Sequence, residues 1–70
     1  ADAQYNRGVM YANGLGVPQD YVRAHMWWNL ATARGLKRAR KARDIVAKEM
    51  TPAQIAEANR LAREWKPKGK

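Results

Sequence analysis

The stretch Gly14-Leu15-Gly16-Val17-Pro18-Gln19-Asp20 decides the fold. Two glycines, a proline and a capping aspartate within seven residues leave room only for a tight chain reversal. On its N-terminal side, Ala1 to Asn13 carries small or apolar residues at Ala3, Gly8, Tyr11 and Ala12, a helical rather than an alternating pattern. Gly14 stands where a left-handed residue ends a helix. Gly8, inside that helix, costs about 1 kcal/mol relative to alanine, and predicts a neighbouring helix close enough that a Cβ would block it. On the C-terminal side, Asp20 reads as an N-cap. From Tyr21 onward Ala24, Trp27, Trp28 and Ala31 recur at three- and four-residue spacing, until Gly35 closes the helix with Arg34 in its last turn. A connection this short demands an antiparallel hairpin.

Beyond Gly35 the pattern predicts a third helix over Lys37 to Glu49, with Ala39, Ala42, Val46 and Met50 on one stripe. Thr51-Pro52-Ala53-Gln54 then sets an N-cap threonine, an N1 proline and an N3 glutamine in capping-box order. Met50 and Ile55 occupy the two positions of a hydrophobic staple. Ile55, Ala58, Leu61, Ala62 and Trp65 continue the apolar face until Pro67 ends it. Asp44 with Lys48, and Arg60 with Glu64, are spaced as i,i+4 pairs. The fold class is therefore all-α, with about four helices in two antiparallel hairpins.

Seventy residues form one domain at most, and a chain this short buries only about 60% of its unfolded surface. Neither a disulfide nor a thiolate metal site adds to the core, since cysteine is absent. Many of the hydrophobic residues are alanines, which suggests close helix packing around a thin core. Catalysis has almost no footing: His25 is the single histidine, serine and cysteine are missing, and the six acids are dispersed. No cofactor or metal is expected, and Asp20 is better explained as a cap than as a ligand. No apolar run approaches the roughly 20 residues that span a bilayer. The formal charge of +8 concentrates on the third helix, where Lys37, Arg38, Arg40 and Lys41 form a basic patch. That patch supplies the alternative function, electrostatic binding of nucleic acid or anionic lipid. No recognition-helix motif accompanies it, and Asp44 and Glu49 interrupt the charge, so a solvated face is the simpler reading.

The positions Ala3, Gly8, Tyr11, Gly14, Gly16, Val17, Asp20, Ala24, Trp27, Ala31 and Gly35 together resemble the Sel1-like repeat, a cousin of the tetratricopeptide repeat. The resemblance implies an α/α solenoid fragment, with residues 1–35 as one repeat. Residues 36–66 look like the C-terminal capping hairpin of bacterial members, with Met50-Thr51-Pro52 and the ending Arg63-Glu64-Trp65, and 67–70 read as a flexible tail. Two positions depart from the pattern: Arg7, where the family usually has leucine, and Thr32, where it usually has alanine. By the same register Trp27 is core. Trp28, about 100° away around the helix, is then partly exposed or buried against something outside this unit, either lying over the neighbouring hairpin or serving as an interface anchor. Repeats of this shape bind through the face lined by the first helix of each hairpin, which implies Asp2, Tyr5, Val9, Ala12 and Asn13 as partner-binding residues together with Trp28.

The implied function is a non-enzymatic scaffold for a protein or peptide partner. The resemblance leans toward a periplasmic or secreted setting, although a cysteine-free chain suits a cytoplasm equally. Ala1 stands where an initiator Met is expected, which suggests a piece of a longer repeat protein. Solenoids generally need about three repeats to close a core, and fewer than two are present. The isolated chain is therefore expected to self-associate, for instance by exchanging hairpins, or to be only weakly stable. Sedimentation showing a well-folded monomer at high concentration contradicts this.

Overall fold

A computed structural model describes residues 2–65 as four helices: α1 (Asp2–Asn13), α2 (Tyr21–Ala33), α3 (Lys37–Ala47) and α4 (Pro52–Glu64). The tail expected at 67–70, and the helix stop at Pro67, lie outside the described residues.

Each boundary has a local cause. At the end of α1, Gly14 adopts φ +67° and the Leu15 N–H donates to Met10 O at 2.9 Å, the six-to-one bond of a Schellman cap. The Asp20 N–H reaches Tyr11 O at 2.9 Å, Gln19 Nε2 reaches Ala12 O at 2.8 Å, and Asn13 Nδ2 reaches Val9 O at 3.0 Å. Three of the last four carbonyls of α1, those of Met10, Tyr11 and Ala12, which a helix cannot satisfy internally, are thus taken up within the reversal. Asp20 then caps α2, its carboxylate accepting from the Arg23 N–H at 3.2 Å. A second Schellman cap ends α2: Gly35 at φ +94° donates to Thr32 O at 2.9 Å, and Leu36 to Ala31 O at 3.2 Å. Leu36 begins α3 at once, so α2 and α3 are joined by three residues. The last turn of α3 tightens to i→i+3 bonds at Lys48 and Glu49, two residues earlier than the spacing predicts. Both bonds of the Thr51–Gln54 capping box form, at 2.9 and 3.1 Å.

The central element is α2, which packs against each of the other three helices. Its sequence carries apolar or small residues on every side, with Arg23 as its one charged residue among Lys, Arg, Asp and Glu, as a helix surrounded by neighbours requires. The core is thin, as the alanine content suggests: Ala24, Ala31, Ala39 and Ala58 are fully buried, joined by Trp28, Val46 and Met50.

The structure reverses the expected roles of the two adjacent tryptophans. Trp28, 5% exposed, is the wedge between α1 and α2, and Trp27 is only half-buried. Both lie within one turn of the Ala24–Ala31 line, on opposite sides of it, so helical spacing admits either one. Gly8 decides between them. Its missing side chain bares the α1 backbone, the indole lies flat into that gap, and Trp28 Nε1 donates to Tyr5 O at 3.1 Å. A Cβ at position 8 would stand 2.6 Å from Trp28 Cδ1. Trp27 points toward the other side, where the Trp65 ring meets it edge-on at 5.6 Å and the Arg7 guanidinium covers it at 5.3 Å. Arg7 thereby keeps its charge at the surface while its stem packs.

Gly8→Ala sets a helix-propensity gain of about 1 kcal/mol against overpacking of about 1–3 kcal/mol and the loss of a hydrogen bond worth about 1 kcal/mol. Destabilisation wins. The urea midpoint of Gly8→Ala is expected to fall, and to recover in part when Trp28→Phe is added. An unchanged or raised midpoint in the single variant contradicts the wedge.

Candidate partner-binding groove

Because α1 and α3 both rest on α2 without closing against each other, a groove of about 440 Å³ runs between them. One wall is Tyr5, Val9, Ala12 and Asn13 of α1, spaced along one face. The other is Ala42, Ile45 and Val46 of α3 with Glu49 just beyond its end, and Tyr21 and Trp28 form the floor. Its volume lies in the range of about 300–1,000 Å³ that small-ligand clefts occupy, but it is open along its length and mostly apolar.

The helices are clasped at one end. Arg38 donates to the Asp2 carboxylate at 2.9 Å while its guanidinium sits 4.9 Å from the Tyr5 ring centre. The Tyr5 ring lies in turn 6.3 Å from that of Trp28, tilted by 35°. The opposite end is polar, with Asn13 and Glu49 exposed. Ile45 stands on the α3 wall 67% exposed, the most open large hydrophobic residue among those described.

Five of the six residues assigned to partner binding, Tyr5, Val9, Ala12, Asn13 and Trp28, come together in this groove. Asp2 does not line it but closes its end through Arg38. Trp28 is corrected from exposed anchor to buried floor, because Gly8 admits its ring into the hairpin. The basic patch divides: Lys37 and Arg40 border a separate shallow depression with Thr32, Gly35 and Leu36, whereas Arg38 and Lys41 lie on the Ile45 side of α3. Sequence reasoning missed the α3 wall. Its signal was Ile45 itself, an isoleucine outside the Ala39–Ala42–Val46 stripe on an otherwise charged face.

Behind the groove, Asn29 joins three helices. Its Oδ1 accepts from Arg43 at 2.7 Å and its Nδ2 donates to Asn59 Oδ1 at 2.7 Å. The same Nδ2 lies 3.4 Å from His25 Nδ1. His25 is buried, so its ring is part of the packing. Burial first, and the Arg43 charge second, hold its pKa below the ordinary 6.5, against a smaller opposing pull from Asp44. Asp44 contacts Arg43 at 3.6 Å instead of the Lys48 that its spacing suggests.

Antiparallel helices stacked about a shared central helix, with an open groove between the first helices of successive pairs, define a helical-repeat protein. The Sel1 repeat family profile matches residues 1–36, just over half of the 70 residues, and the chain belongs to that family. Sel1 repeats are generally protein-interaction modules and typically non-enzymatic. No curated protein and no solved structure gives a significant match to the chain. Among the described residues no helix is long and apolar enough to cross a membrane.

His25 makes the polar junction pH-sensitive. Its proton affinity is lower folded than unfolded, so acid favours the unfolded chain. The stability is complete above about pH 6.5 and declines as pH falls below it. The urea midpoint is expected to drop between pH 7.5 and 5.5, and that drop should vanish in His25→Gln. An identical drop in both proteins refutes the assignment.

Proposed function

We propose that the chain is a non-enzymatic scaffold that seats a segment of a protein partner in the groove between α1 and α3. The observation that carries this reading is the meeting of the α1 face, Tyr5, Val9 and Ala12, with exposed Ile45 across an apolar floor. Apolar contact there supplies affinity, and the polar ends supply orientation. In this reading α3 and α4 act as a capping hairpin. The outward side of α4 is laced with charge, Arg60 bridging Glu57 at 2.6 Å and Glu64 at 2.9 Å, as a face without a stacked neighbour needs. Half-open Met10 and Leu15 on the edge of α1 support self-association there. The nucleic-acid alternative draws no comparable support, since the basic patch is split between two faces and Arg38 is already paired.

Selection of a random 12-residue peptide library on the full chain tests the groove. Enriched peptides are expected to lose about tenfold or more in affinity for Ile45→Asn, with helicity unchanged because Ile45 is exposed. Peptides that bind Ile45→Asn as well as the original chain place the partner surface elsewhere.

A further inference from the structure

We propose that the segment this groove takes is acidic, with an apolar anchor flanked by carboxylates; this rests on the groove reading above. The charge arrangement points there. Five of the six acidic residues are already ion-paired to arginines: Asp2 with Arg38, Asp20 with Arg23, Asp44 with Arg43, and Glu57 and Glu64 with Arg60. The chain's own carboxylates are thus engaged away from the lysines, and no lysine is ion-paired among the described residues.

Two of those lysines flank the groove's exposed anchor point. Lys41 lies four residues before Ile45 and Lys48, the C-cap, three after it, so the three side chains share one stripe along α3 and its cap, with the Asp2-paired Arg38 one turn further on. All of them are exposed. An apolar side chain dropped between Val9 and Ile45 puts its neighbours in sequence beside these ammonium groups. Carboxylates are the groups that gain there, through rim contacts that salt weakens.

The same geometry disfavours a polyanion. Glu49 lines the far end of the groove and is unpaired among the described residues. A nucleic-acid strand or an anionic membrane, carrying charge at every step, would meet it. Such ligands also gain little from an aliphatic wall of Val9, Ile45 and Val46. A peptide can be acidic beside Lys41 and Lys48 and uncharged beside Glu49.

The charge of the selected 12-residue peptides decides the matter. Enriched sequences are expected to be net negative around an aromatic or branched residue. Their affinity should fall about tenfold in the double variant Lys41→Glu/Lys48→Glu, whose positions are exposed, and should weaken as salt is raised. Neutral or basic sequences that still depend on Ile45 overturn the acidic assignment and leave the groove reading standing. Acidic sequences indifferent to Ile45→Asn, or no enrichment at all, overturn both. A 20-nucleotide single-stranded DNA or phosphatidylserine vesicles binding more tightly than the selected peptides, and insensitive to Ile45→Asn, overturn the proposal in favour of a polyanion. A dimer abolished by Ile45→Asn does so in favour of a second copy.

Discussion

The Trp28 indole can lie against α1 because residue 8 has no side chain, and everything else in the first hairpin follows from that fit. The ring fills the space a Cβ would take, and its N–H reaches the Tyr5 carbonyl that a larger residue at position 8 would screen. Tyr5 is thereby held beside the indole, where its ring becomes both part of a groove wall and the platform for Arg38. One absent methyl sets the spacing of α1 from α2. The residues it positions then set the spacing of α1 from α3.

A core built mainly of alanine brings helix backbones close but contributes little buried area per residue. Specificity of docking comes instead from groups with directional demands. Asn29 serves Arg43 and Asn59 at once, so α3 and α4 each have one angle at which the polar groups of α2 are satisfied. The three-residue link at 34–36 removes slack between α2 and α3. The groove is consequently a property of helix placement.

The parts of the structure legible in the sequence are those with causes a few residues away. Gly14, Asp20, Gly35 and the Thr51–Gln54 box each fix a helix end by hydrogen bonds within nine residues, and each end falls within two residues of its expected place. The α1 side of the groove was legible through family resemblance. What spacing could not resolve was which tryptophan goes inward, because both stand within one turn of the alanine line and only the position of Gly8 on another helix separates them. Nor could it place Asn59 against Asn29, thirty residues apart. The α3 wall stayed hidden because Ile45 belongs to no apolar stripe of its own helix; it acquires a role only when α1 is laid beside it.

The edge-on stack of Trp27 and Trp65 has a practical corollary. Trp65 follows α4 directly, and Trp27 is in the middle of α2, so the two indoles meet only while α4 is docked. Chromophores held that close at a fixed tilt couple electronically, giving the molecule a built-in optical reporter of α4 attachment, while Trp28, sealed in a different place, reads the integrity of the first hairpin independently.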